Sequence, residues 1–167
     1  MRRAAGNDAY YYSALARQGL QPATETTVTR GPCPPDAADA LGVEQGSEVV
    51  IRDRLVRSEG KPPDMLATSY FPTWVVEAAP NLADPNVSGL PKWLREAFGP
   101  TYSEDVLSAR MPTAAEQERL ELSAGTPVLI VKSTERDAQH RAVHFKSVVA
   151  AAGRMEYSYR VGAVPES

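Results

Sequence analysis

Arg52 and Arg54 stand two residues apart inside an otherwise apolar run, EVVIRDRLVR. On a strand, side chains alternate, so residues i and i+2 project from one face roughly 7 Å apart. Two guanidinium groups so placed have two readings. They are solvated arginines of an edge strand, paired to acids on a neighbour, or they form a two-pronged clamp for a carboxylate or phosphate at the floor of a ligand pocket. The other chemistry-bearing residues are sparser. His140 and His144 lie four apart, but DAQHRAVHF reads as a turn running into a strand, which removes the helical i, i+4 geometry a metal would use, and no third ligand is evident. His140 reads as an exposed turn residue, and His144 either points into a pocket or packs in the sheet. Cys33 sits alone in a proline-rich loop. There is no G-x-S-x-G nucleophile elbow, no glycine fingerprint for phosphates and no pair of carboxylates marked out as an acid/base couple. The residues therefore point to binding without catalysis, with no cofactor and no metal expected.

The elements that must position these residues show a duplication. Leu41, Val43, Gly46, Val49, Val50 and Ile51 recur 79 residues later as Leu120, Leu122, Gly125, Val128, Leu129 and Ile130. Each copy reads as a short helix, a turn glycine, an apolar strand, a hairpin and a return strand. The expected product is an α+β fold, one mainly antiparallel sheet of two related halves with flanking helices, holding ligands where the halves meet.

Along the chain, TETTVT (24–29) favours a strand, and Asp36 is placed to cap the helix DAADALGV. Ser47 to Arg57 reads as a strand with Val49, Ile51 and Leu55 on one face and Val50, Arg52, Arg54 and Val56 on the other. MLATSYF (65–71) returns, and 73–90 reads as an excursion over the sheet. Pro91 opens a helix with Trp93, Leu94, Ala97 and Phe98 on its apolar face and Gly99 at its end. Thr101 to Arg110 reads as a strand. Pro112 opens a helix whose stripe includes Ala115, Leu120 and Leu122. Strands are expected over 126–136, 142–150 and 155–161, and a short docked helix carrying Tyr11, Tyr12 and Leu15 near the start.

Composition bounds the function. With 167 residues, 43% apolar and 23% charged, the chain suits one globular domain with a real core. A net charge of −3 with no basic stripe beyond Arg2 and Arg3 makes it a poor grip for nucleic acid by itself. A single cysteine cannot form an intrachain disulfide, and no apolar run approaches the ~20 residues of a membrane span. Both fit a cytoplasmic protein.

Beyond these readings, the ordered series LGV-x-x-G, R-x-R, SYFP, the strand leading to Ala109, a second L-x-L-x-x-G, the hairpin turn and Arg154 before Tyr157 resembles the UTRA domain, the effector-binding domain of HutC-type GntR-family bacterial transcription regulators. The resemblance runs from about Gly19 to Val161. It implies residues 1–18 as a linker and 19–167 as a UTRA ligand-binding domain with the chorismate-lyase-like fold, a homodimer sensing a small-molecule effector without catalysis. Operator DNA would be read by an N-terminal winged helix-turn-helix that this chain lacks. The R-x-R pair, Arg52 and Arg54, matches positions that contact anionic effectors in the family. If the hairpins pair as the duplication suggests, Met65, Ser69 and His144 line the same pocket. Ala67, Gly89-Leu90-Pro91, His144 and Gly153 depart from the family's phosphosugar pattern, so a more apolar anion is expected. The alternative carried by the same fold is a chorismate-lyase-type enzyme, distinguished by release of pyruvate from chorismate.

Overall fold

The computed structural model describes residues 22–157 of the chain. Six strands form one antiparallel sheet in the order β1-β2-β3-β6-β5-β4. They are β1 (Pro22–Pro32), β2 (Glu48–Ser58), β3 (Pro63–Pro72), β4 (Tyr102–Arg110), β5 (Val128–Arg136) and β6 (Ala142–Ala151). Helix α1 (Pro35–Leu41) joins β1 to β2 and α4 (Ala114–Arg119) joins β4 to β5. Between β3 and β4 run α2 (Thr73–Ala78), a 3-10 turn (Pro80–Ala83) and α3 (Leu90–Phe98).

The duplication extends to register. Arg52 pairs with Ser69 and Val131 with Val148, each partner 79 residues from its counterpart. The bulge at Val56/Arg57 recurs at Glu135/Arg136. At the centre, Thr68 faces Ser147, two residues themselves 79 apart, so a pseudo-two-fold axis passes through that pair. The turn glycines Gly46 and Gly125 both hold left-handed backbone, φ 81° and 79°, which lets the chain reverse from helix into strand.

Alternation divides the sheet as expected. On one face, Val49, Ile51, Tyr70 and Phe145 pack under α1, while Leu55, Leu66, Val128 and Ile130 pack against Leu120 and Leu122 at the end of α4. The other face carries Arg52 and Arg54. One end of it is covered by α2, the 3-10 turn and α3 through Val75, Leu82, Leu90 and Leu94 on Val50 and Phe71. The opposite end is an apolar cluster of Val56, Met65, Ala67, Val131, Val148 and Ala150, partly covered by Met155 and Tyr157.

Four local expectations are corrected. Asp36 is the second residue of α1, whose cap is Pro34 with no side-chain bond; its carboxylate instead accepts from the neighbouring Ala37 amide. Thr113, not Pro112, begins α4, through a reciprocal capping box with Glu116, and Ala115 is exposed. In α3 the buried pair is Leu90 and Leu94, one turn apart, with Ala97 in solvent. Residues 155–157 are not in a strand: Met155 makes one isolated bridge to Ala152. The expected helix near Tyr11, the remainder of the 155–161 strand and the linker over 1–18 lie outside the described residues.

Candidate functional site

Cross-strand register lays the polar residues of the arginine face in adjacent rows. One row reads Val28, Arg52, Ser69, Lys146, Ser133 and Asp105 across the six strands. The next reads Thr26, Arg54, Ala67, Val148, Val131 and Leu107. The pseudo-two-fold interchanges these rows, so one row is polar and its mate is apolar except at the Arg54 end. On the other side of the polar row His144 pairs with Glu135 and stacks on Phe71, ring centroids 4.5 Å apart and planes within 13°. The result is a buried polar belt between two apolar ends.

Arg52 is 2% exposed. Its Nη1 donates to the carbonyls of Leu82 and Asp84, and its Nη2 to the carbonyl of Val87 at 2.7 Å. Burial, and then the neighbouring Arg54 charge, pull its pKa below the ordinary arginine value, with Asp84 acting in the other direction. The terminal nitrogens of Arg52 thus pin the 82–87 segment to the sheet. Arg54, also buried, projects from the same face one row away.

Ser69 is fully buried and His144 is 6% exposed; Ser69 Oγ and His144 Nε2 have no hydrogen-bond partner among the described residues. Such groups are costly in a dry interior and mark a place where a ligand or water belongs. His144 Nδ1 lies 3.3 Å from Glu135 Oε2, and the other Glu135 oxygen accepts from Thr101 Oγ1 at 2.6 Å. Burial lowers the His144 pKa, an effect the Glu135 carboxylate offsets only in part. Burial alone would raise the Glu135 carboxyl, but the bonds from His144 and Thr101, with Lys146 nearby, hold it below its usual value. Burial thus disfavours a charged ring, and the contact of Nδ1 with Glu135 leaves Nε2 as the ring nitrogen with no partner among the described residues.

The five residues singled out in the sequence share one face but do not all meet. Arg52, Arg54, Ser69 and His144 belong to the belt. Met65 lies beyond the Arg54 row in the apolar cluster, three rows from His144 and so roughly 20 Å away along the strands. Glu135, Lys146, Ser133 and Thr101 were missed. The hairpin turn at Asp137 would have placed Glu135 opposite His144, so for that residue the signal was present. Thr101 reaches the site only through the path of the 73–101 insertion.

Arg154 forms a second arginine anchor. Its Nη1 donates to the carbonyls of Pro63 and Leu120, both at 2.6 Å, and Nη2 donates to that of Glu121 at 3.0 Å. This holds the segment after β6, from which the Tyr157 hydroxyl donates to Asp105 at 2.9 Å. No cluster of three or more potential metal ligands occurs among the described residues.

Residues 17–156 match the UTRA domain. The chain belongs to that family. An uncharacterised HTH-type transcriptional regulator of Streptomyces coelicolor is 33% identical over 139 residues, covering 80% of this chain and 51% of that protein. The HTH-type transcriptional regulator GgaR of Escherichia coli is 30% identical over 114 residues, 68% of this chain and 44% of that protein. A solved structure of a transcriptional regulator from Streptomyces coelicolor superposes with a TM-score of 0.75 at 29% identity, covering 87% of this chain and 97% of that one. The UTRA domain here spans about half the length of the curated relatives it matches. Those relatives are transcription regulators, and the six-stranded antiparallel sheet with flanking helices is the fold the resemblance implied. No helix among the described residues is long and apolar enough to cross a membrane.

Proposed function

We propose that this UTRA domain is the effector-sensing part of a bacterial transcription regulator, binding a small anion at the polar belt and so controlling DNA binding by a separate N-terminal domain. Membership of the family supports the regulatory role, and action on DNA places the regulator in the cytoplasm. The observation that carries the site is the pair of buried groups, Ser69 Oγ and His144 Nε2, that have no partner among the described residues, on the face that also buries Arg54. Arg54 is the anion-facing cation in this reading. Arg52 braces the 82–87 segment, since its terminal nitrogens already serve three carbonyls. Met65 belongs to the apolar cluster beyond Arg54, and Lys146 adds positive charge to the belt.

The test is a thermal-shift screen of carboxylates, phosphate esters and sulfate, followed by calorimetry of the best binder. A ligand selective for the native state raises the melting temperature. A lost charge-assisted hydrogen bond is worth roughly 1.5–3 kcal/mol, so Arg54→Ala should weaken binding about tenfold or more. A variant that loses stability but keeps its affinity would show that Arg54 is an internal ion-pair residue. Release of pyruvate from chorismate would instead favour an enzyme.

A further inference from the structure

We infer that His144 takes up a proton when the anion binds: an oxyanion seated against Arg54 and Ser69 is met by His144 protonated on both nitrogens, its Nε2–H donating to the anion. This rests on the anion-site reading above. The ring is held in place from two sides. Phe71 stacks on it, and Nδ1 is committed to Glu135, whose second oxygen is itself held by Thr101. The ring cannot turn Nδ1 toward the ligand without giving up the Glu135 bond, so Nε2 is the atom that faces the belt. Nε2 is buried and has no partner among the described residues; with Nδ1–H donating to Glu135 it carries a lone pair. A lone pair beside an incoming oxyanion repels it, whereas an N–H in the same place donates a charge-assisted bond.

The groups around His144 make the proton conditional. Arg54 on β2 and Lys146 on β6 oppose a further positive charge, and Glu135 on β5 favours it. β3 brings only Phe71 and Ser69, and the 82–87 segment brings Asp84 toward Arg52. Burial works against a charge on the ring. One added anion changes this balance, and a proton is drawn from solvent to Nε2. No other bond forms or breaks. The class of ligand this fits is an oxyanion, a carboxylate, sulfate or phosphate, bound more tightly as pH falls.

Sulfate is a suitable probe because it does not titrate near neutrality. Calorimetry of sulfate binding between about pH 6 and 8, in two buffers of different ionisation heat, should show uptake of about one proton per sulfate. Affinity should rise by up to about tenfold per pH unit as pH falls. His144→Gln should flatten the pH dependence, and Arg54→Ala should weaken sulfate binding at every pH. If His144→Gln does not fold, the proton count on the unaltered chain decides alone. Binding that depends on Arg54 but is flat with pH and takes up no proton overturns the role of His144 and leaves the anion site standing. No sulfate binding at any pH, or binding indifferent to Arg54→Ala, overturns the anion site and the proton coupling with it.

Discussion

Gly42 and Glu121 occupy the same place in the two halves, at the ends of α1 and α4, and both adopt left-handed backbone, φ 66° and 51°. Glycine does so freely, while a residue with a Cβ is held there at roughly 1–2 kcal/mol. What holds Glu121 is visible: Arg154 donates to its carbonyl and to that of Leu120. The two positions should therefore respond oppositely. Gly42→Ala meets nothing within 4 Å, so its effect is conformational, a loss of about 1 kcal/mol. Glu121→Gly should gain up to about 1 kcal/mol, a rise of roughly 2–4 °C in melting temperature for a domain of this size. Urea unfolding of both variants checks the pair, and equal signs would contradict it. The counterparts of Arg52 and Arg54 are Val131 and Ser133, so the two arginines depart from the repeat and a repeat search alone does not single them out.

At the scale of elements, the two short helices begin differently although they are repeats. Thr113 Oγ1 accepts from the Glu116 amide and the Glu116 carboxylate accepts from the Thr113 amide. Arg110 grips the same carboxylate through both terminal nitrogens, at 2.7 and 2.8 Å, and this holds the Glu116 carboxyl below its usual pKa despite some burial. Helix α1 has Pro34 in the capping position and no side-chain cap. It instead buries Ala37, Ala38 and Leu41, whereas α4 buries none of its six residues. So α4 depends on its cap and α1 on its packing. Thr113→Ala should cost about 1 kcal/mol and speed amide exchange in α4, while leaving α1 unaffected. The outer strands differ too. β4 is exposed along its whole length and places Val106 and Leu107 in solvent, where β1 has Thr27 and Val28.

The whole molecule is a pseudo-two-fold sheet with its polar belt beside the axis and an exposed edge at β4. Operators read by regulators of this kind are commonly two-fold related, which calls for a symmetric protein. We therefore expect a homodimer. Light scattering at tens of micromolar should return twice the mass of the chain, and a monomeric mass would count against the expectation.

The duplication, the strand positions and the facing of Arg52 with Arg54 were legible in the sequence, because period-two alternation and a repeated helix–glycine–strand pattern are local properties of the chain. The family was legible in the same way, from an ordered series of short motifs. The engagement of Arg52 by backbone carbonyls was not, because it depends on where the 82–87 segment comes to rest, thirty or more residues away. Nor was the separation of Met65 from His144, which the pseudo-two-fold places at opposite ends of one face. Side-chain direction follows from strand alternation. Which carbonyls come to rest over Arg52 follows only from the packing of distant segments over the sheet.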